Sequence, residues 1–293
     1  MNVAFDTASP QLVITSELCD KTCETKAYSQ SRSETSKNLG ETYELEFDFE
    51  DIVLETVAFQ DSVCLMSNCF CVPDQEFYAI ASQTGMLSGE EGIIGLAPIP
   101  ADGDRGDSFI LELKREEVIE QALFAIYISK NTNEVSHSIQ IGDWNRTLVA
   151  DGEEMDFYSL SGDGSSWAVD VTDAKYGDQT IVSDWQEWAI LDTNVVGIGL
   201  IPDHFSTVAN IMTESDPTIF CDDKQCLGMN TCEFYKGKMD DLEITFYKRK
   251  SYVVQGDRLL LDIPLDGYRC LFGIYSSQDG MYHLGDAFLG DYY

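Results

Sequence analysis

Basic residues are scarce in this 293-residue chain: 18 Lys and Arg stand against 52 Asp and Glu, a formal net charge of −34. Such an acidic surface repels phosphate backbones and anionic lipids, so nucleic acid and membranes are disfavoured as partners. Long apolar runs are also missing, since none approaches the roughly 20 residues that span a bilayer. The opening residues lack a basic segment and a long apolar run, so we expect any signal or pro-segment to lie outside this sequence.

Histidine is rare as well, and this bears on metal binding. Zinc sites usually combine two close cysteine pairs, or one such pair with two histidines. None of the three histidines lies beside a cysteine pair, and we expect the one at position 283, His283, to be a packed ring rather than a ligand or base. We therefore expect no metal and no organic cofactor.

The nine cysteines indicate an oxidising compartment instead. Most lie in close pairs, namely Cys19/Cys23, Cys64 with Cys69 or Cys71, and Cys221/Cys226, and the other two are Cys232 and Cys270. Small disulfide loops of this kind are typical of secreted, vacuolar or lysosomal proteins. The odd count leaves one thiol free or paired outside the chain, and the sequence does not say which. A glycosylation sequon begins at Asn145, which fits the same compartment.

Short runs rich in Val, Ile, Phe and Tyr predict a mostly β protein. They are Val3–Phe5, Leu12–Ile14, Tyr43–Phe49, Ile52–Phe59, Phe124–Ser129, Ser138–Ile141, Trp167–Val171, Trp188–Leu191 and Arg258–Ile263. Apolar residues at helical spacing predict two helices, Phe109–Glu120 and Asp203–Glu214. The length suits two β lobes, which we place at residues 1–153 and 154–293.

A long-period duplication supports two similar lobes. An apolar strand leads into an Asp-Thr turn at Asp6 and again at Asp192. Each turn is followed by an apolar-apolar-Gly segment, which ends at Gly95 in the first half and at Gly285 in the second. The intervals are 89 residues (95 − 6) and 93 residues (285 − 192). A pseudo-two-fold relation between the lobes would bring Asp6 and Asp192 together.

Two facing carboxylates form a recognised acid–base pair. Like charges in a poorly solvated cleft cannot both ionise easily, so the pair shares one proton and titrates in two separated steps. The ionised member can take a proton from water while the neutral member donates one to a carbonyl oxygen. The duplication therefore predicts hydrolysis of an amide bond by activated water.

The sequence resembles the pepsin-like aspartic peptidases of the A1 type. The matching segments, in family order over nearly the whole chain, are VAFDTASPQLVITSELC, EGIIGLAP, FAIYISKN with SIQIGDWN, WAILDTN with IPDHFSTVANIM, and YHLGDAFLGDYY. The resemblance implies a bilobal fold with a catalytic pair, Asp6 and Asp192. It further implies bracing hydroxyls at Thr7 and Thr193, a bond from Ser9 near Asp6, and disulfides Cys19–Cys23 and Cys232–Cys270.

Three turn positions depart from the family pattern. Ala8 and Asn194 stand where the family has glycine, which permits close approach and unusual dihedral angles. Val195 stands where the family has a hydroxyl residue, so a donor to the second aspartate is removed. Losing a bond to the charged form should raise the pKa of that carboxyl.

The flap is the other departure. The family carries a tyrosine on a hairpin over the cleft, but here Phe47 or Phe49 occupies the corresponding hairpin. Phenylalanine can cap a cleft but cannot donate a hydrogen bond.

Two functions are favoured over a third, an acidic component of an extracellular assembly, which would need a large apolar surface patch that the sequence cannot show. The first is an acid-acting aspartic endopeptidase that cleaves extended or unfolded chains. The second is an inactive relative that binds peptides or proteins in the same cleft. In both cases we expect a monomer with a peptide or unfolded protein as its partner.

Overall fold

The computed structural model describes residues 1–19, 21–47, 52–66, 69–84, 90–98, 108–128, 137–149, 152–182, 187–247, 250–262 and 267–292. The chain is mostly β, with a few short helices, as predicted. It forms two compact units, the first being Met1–Ala125 with Ile139–Asn145 and the second Ile126–Ser138 with Arg146–Tyr293. The lobe division at residues 153 and 154 stays a prediction.

The first unit is built on a six-stranded sheet. Its strands are β1 (Ala4–Asp6), β2 (Leu12–Thr15), β3 (Lys37–Phe47), β4 (Ile52–Leu65), β5 (Phe70–Thr84) and β6 (Gly92–Gly95). They lie in the order β1-β6-β2-β5-β4-β3. Alternation of buried and exposed residues along β4 sends side chains such as Leu54 into a core that also contains Val13, Tyr78 and Ile80.

A separate two-stranded sheet follows, made of β7 (Phe124–Tyr127) and β8 (Ser138–Ile141).

The second unit is built on a larger sheet of eleven described strands. They are β9 (Ala168–Tyr176), β10 (Gln179–Val182), β11 (Glu187–Leu191), β12 (Ile198–Leu200), β13 (Ile219–Cys221), β14 (Gln225–Gly228), β15 (Leu242–Phe246), β16 (Lys250–Val254), β17 (Leu260–Leu261), β18 (Cys270–Ser276) and β19 (Tyr282–Leu284). The main path runs β13-β14-β18-β12-β19-β11-β9-β15-β16. Its core includes the fully buried rings of Tyr176, Tyr235, Tyr282 and Phe272.

The two units contain the same strand motif around their Asp-Thr turns. In the first, β1 runs parallel to β6, β2 runs antiparallel to β6, and β2 runs parallel to β5. In the second, β11, β12, β18 and β19 repeat these three relations. The register also repeats, since Leu12 lies opposite Ile94 as Ile198 lies opposite Leu284. The duplication read from the sequence is therefore a repeated supersecondary structure.

Glycine in the apolar-apolar-Gly segments is required by close backbone contact. A Cβ atom on Gly95 would lie 2.3 Å from the carbonyl carbon of Pro10. A Cβ atom on Gly285 would lie 1.9 Å from the carbonyl oxygen of Val195. In each unit the chain that leaves the Asp-Thr turn passes directly over this glycine, which fixes the turn against the sheet.

The helices are α1 (Phe109–Arg115), α2 (Pro202–Ser215), α3 (Cys232–Tyr235) and α4 (Asp286–Leu289). Helix α2 confirms the predicted second helix, with Pro202 in its first turn and Phe205, Val208 and Met212 buried.

Two local predictions were wrong in extent. Helix α1 ends five residues before the predicted Glu120, because the chain turns at Glu117, which has a positive φ of 57°. The strand predicted from Arg258 is a 3₁₀ helix at Gly256–Leu259 followed by the two-residue β17.

Four disulfides join eight of the nine cysteines, so the prediction of disulfide bonds is confirmed. They are Cys19–Cys23, Cys64–Cys71, Cys221–Cys226 and Cys232–Cys270. The pairing that the sequence left open is decided by β4 and β5, whose register places Cys64 opposite Cys71. Cys69 remains as the free, exposed thiol.

Candidate active site

Asp6 is the last residue of β1 and is fully buried. The backbone amide of Ala8 donates to its Oδ1 atom at 2.7 Å. The hydroxyl of Ser9 donates to its Oδ2 atom at 2.5 Å. Both oxygens are thus held by donors from the turn itself, which gives the carboxylate one orientation.

Asp192 directly follows β11 and is 3% exposed. The backbone amide of Asn194 donates to its Oδ1 atom at 2.9 Å. Its Oδ2 atom lies 2.8 Å from Nδ1 of His283, which is in the adjacent parallel strand β19. The second aspartate therefore has the same backbone bond as the first, but a histidine stands where the first has a serine hydroxyl.

The glycine replacements do not disturb the turn backbone. Among the described non-glycine residues only Met66 and Glu117 have a positive φ, so Ala8 and Asn194 adopt conformations open to any L-residue. The side chain of Ala8 is half-buried and that of Asn194 is exposed.

The supporting residues named from the sequence also lie at these turns. Thr7 and Ser9 are buried, and Thr193 is half-buried. That the two threonines brace one turn against the other stays a prediction.

The whole chain, residues 1–293, matches the sequence profile of the family described as eukaryotic aspartyl protease. The chain belongs to the eukaryotic aspartyl protease family. The resemblance to pepsin-like aspartic peptidases is thereby confirmed, and with it an aspartic-endopeptidase type of function. A comparison with curated proteins found no match.

In this aspartyl protease the donor missing at Val195 is supplied from another strand. Val195 is buried and its side chain cannot donate, as the sequence indicates. His283 stands where the hydroxyl is missing, so Asp192 keeps a side-chain hydrogen-bond partner at its Oδ2 atom. The sequence predicted only a packed ring at His283. It did not predict the contact with Asp192, because sequence spacing does not reveal that β19 lies beside β11.

The second ring nitrogen of His283 is also engaged. Nε2 lies 2.8 Å from Oδ2 of Asp279, in the turn between β18 and β19. Burial opposes a charge on the ring, but its hydrogen bonds to Asp192 and Asp279 outweigh that effect and raise the pKa of His283 to about 9. Burial also opposes ionisation of Asp279, yet the bond from His283 and the positive charge hold the pKa of that carboxyl below its usual range.

The flap predicted from the sequence falls at β3 and β4, and its assignment stays a prediction. Phe47 is the last residue of β3 and pairs with Ile52, the first residue of β4. Phe49 lies outside the described residues, so its place over a cleft stays a prediction.

Within the part of the protease that the structure describes, no cluster of three or more His, Cys, Asp or Glu side chains could hold a metal ion. No helix in the same part is long and apolar enough to cross a membrane.

Proposed function

We propose that the protein is a catalytically active aspartic endopeptidase with Asp6 and Asp192 as its acid–base pair. One observation carries the proposal: the two aspartates occupy the same place in a repeated strand motif, and each accepts a backbone hydrogen bond at Oδ1 from the residue two positions on. A second donor holds the Oδ2 atom of each. Matching positions and fixed orientations support a shared role for the two carboxylates as an acid–base pair.

The proposed reaction needs only this pair and a water molecule. The ionised carboxylate takes a proton from water, whose oxygen attacks the carbonyl carbon of the scissile peptide bond. The protonated carboxylate donates to the carbonyl oxygen, and the tetrahedral intermediate breaks when the leaving nitrogen receives a proton. Rigid carboxylates matter because an error of about 1 Å in such a constellation can cost roughly 100-fold in rate.

The proposed substrate is an extended or unfolded polypeptide at acidic pH. The family's function supports a peptide or protein substrate. The disulfides and the family together are typical of extracellular or lysosomal proteins, which supports a secreted, vacuolar or lysosomal site of action. Asn145 is exposed, which supports glycosylation at its sequon.

The first prediction tests the pair. An unfolded protein substrate should be cleaved between about pH 3 and 5, where a shared-proton dyad is half-protonated. Asp6→Asn and Asp192→Asn should each reduce cleavage at least about 100-fold, because an amide cannot exchange the proton. Asp223→Asn, an exposed change of the same chemistry, should leave cleavage unchanged. Full activity of Asp192→Asn would overturn the assignment.

A second candidate is a peptide-binding protein without turnover. Three turn residues favour it, because Ala8 and Asn194 are bulkier than the glycine of the family pattern and Val195 lacks the hydroxyl of that pattern. Binding without cleavage by the natural chain, followed by cleavage in Ala8→Gly/Asn194→Gly, would support this candidate. Turnover by the unmodified chain eliminates it.

A further inference from the structure

His283 lies between two carboxylates of the second unit. Nδ1 is 2.8 Å from Oδ2 of Asp192, and Nε2 is 2.8 Å from Oδ2 of Asp279. An ionised carboxylate only accepts hydrogen bonds, so both ring nitrogens must donate, and a histidine that donates from both nitrogens is an imidazolium. The side chain is only 17% exposed, so water screens this charge weakly.

The strand register makes room for this ring. Tyr275, Gly199, His283 and Ile190 form one row across β18, β12, β19 and β11. A Cβ atom on Gly199 would lie 2.8 Å from the ring of Tyr275 and 3.0 Å from Cβ of His283. The absence of a side chain at Gly199 therefore lets the tyrosine and histidine side chains approach from the two neighbouring strands.

The corresponding row of the first unit is apolar beside its aspartate. Tyr78, Val13, Ile93 and Ala4 form that row across β5, β2, β6 and β1. Histidine thus replaces isoleucine, and glycine replaces valine, at two neighbouring positions of one row in the second unit. The paired differences indicate a site shaped for the imidazole rather than an isolated change.

The titratable groups around the ring come from three directions. Asp192 faces it from the end of β11, Asp279 from the turn after β18, and Tyr275 from β18, with ring centroids 6.5 Å apart. Burial raises the pKa of Tyr275, so its phenol is neutral at physiological pH. Strand β12 contributes only Gly199 to the row. The imidazolium therefore faces two carboxylates.

We propose that His283 is a positioning residue that replaces, for Asp192, the hydroxyl that Ser9 provides to Asp6, and that its positive charge keeps Asp192 as the ionised member of the pair. The positioning of Asp192 by His283 is independent of the proposed function, but its consequence for catalysis rests on that function. That consequence is a division of roles in which Asp192 takes the proton from water and Asp6 carries the proton given to the carbonyl oxygen.

The charge also sets where activity fails in acid. A neighbouring cation favours the ionised form of a carboxyl, so the dyad stays singly ionised to lower pH than it would beside a neutral hydroxyl. Removal of the imidazole should therefore shift the acid limb of the rate profile upward in pH.

The first arm of the test is independent of catalysis. The three histidines are labelled with ¹⁵N and the His283 ring is titrated by NMR from pH 5.5 to 10 in the full chain. A midpoint near 9 is expected, with a fall of at least one unit in Asp192→Asn and in Asp279→Asn. Asp223→Asn should leave it unchanged. A wild-type midpoint near 6.5, or one unaffected by Asp192→Asn, overturns the proposal.

The second arm separates the donor from the charge by kinetics. His283→Ile, which copies Ile93 of the first unit, should lower kcat at least tenfold and move the acid limb upward by about one unit. Adding Val195→Thr to His283→Ile restores a hydroxyl beside Asp192, so kcat should recover while the acid limb stays shifted. An unchanged acid limb in His283→Ile overturns the charge role, and a failure of Val195→Thr to restore kcat overturns the donor role.

The two arms also separate this proposal from the proposed function. If the wild type binds peptides but does not cleave them, the endopeptidase fails while the NMR titration still decides whether His283 holds Asp192. If circular dichroism shows that His283→Ile does not fold, His283→Gln takes its place, because glutamine keeps a neutral donor at this position.

Discussion

At the residue scale, the two aspartates differ in the side chain that contacts Oδ2. The Oδ2 atom of Asp6 accepts a hydrogen bond from the neutral hydroxyl of Ser9 in the same turn, whereas that of Asp192 contacts the His283 ring on another strand. A hydroxyl can rotate, but an imidazolium tied to Asp279 cannot. The second carboxylate is therefore held by a cation that is itself anchored, so the surroundings of the two aspartates differ in charge.

This contact predicts a pH-dependent stability. The pKa of His283 is about 9 in the folded protein and about 6.5 when unfolded, so its contribution is fully present below about pH 6.5 and is lost as pH rises through 9. The loss amounts to about 3 kcal/mol at most, by the usual conversion of a pKa difference. Urea unfolding at pH 6.5 and 9.5 measures it, and His283→Ile should show a smaller difference than the wild type.

The control concerns the free thiol. Cys69 is exposed, and alkaline pH promotes exchange between thiols and disulfides, so both proteins are compared in a Cys69→Ser background. Equal pH dependence in the wild type and His283→Ile would contradict the prediction.

At the scale of elements, the longest disulfide loop lies in the second unit. Cys232–Cys270 closes a sequence separation of 38 residues and joins α3 to β18 in the core, whereas Cys19–Cys23 closes only 4. In the chain-entropy view a longer loop restricts the unfolded chain more. The long disulfide should therefore contribute more to stability than the short one.

The expected values follow from loop length. Cys232→Ala/Cys270→Ala should lower the free energy of unfolding by about 4 kcal/mol, and Cys19→Ala/Cys23→Ala by about 2 kcal/mol. Denaturant titrations of the two variants and the wild type measure this order. A larger loss from the short loop would show that packing around Cys19 and Cys23, rather than loop entropy, dominates.

At the scale of the whole molecule, the net charge of −34 sets the balance of long-range forces. Few cations offset it, and those in described ion pairs such as Lys37–Asp74 are mostly exposed. Exposed pairs contribute little, so general repulsion between acidic side chains acts against the compact state.

Salt should therefore stabilise the protein at neutral pH. Raising sodium chloride from 10 to 200 mM screens repulsion beyond about 7 Å and should raise Tm by several degrees at pH 7. Near the sequence pI of about 4.1 the net charge vanishes and the same salt should have little effect. Thermal scans at the two pH values measure the contrast, and equal shifts at both would show that the salt acts by other means.

The sequence was informative wherever a property depends on local order. Spacing alone predicted the Asp-Thr turns, their apolar-apolar-Gly partners and helix α2. This was possible because strands and helices repeat apolar residues at fixed intervals and turns favour particular residues. The family and its mostly β class followed from those motifs. Helix α1 was overestimated because residues beyond its end happened to keep a helical spacing.

Tertiary structure decided the contacts between distant strands. The sequence by itself determined that two aspartates begin two similar turns and that Val195 cannot donate a hydrogen bond. Only the register of β11, β12 and β19 brings His283 beside Asp192. The same register places Gly199, which has no side chain, opposite His283. Ninety-one residues separate that histidine from its aspartate, and the pairing of strands, which depends on the packing of the whole sheet, has no signature in either segment alone.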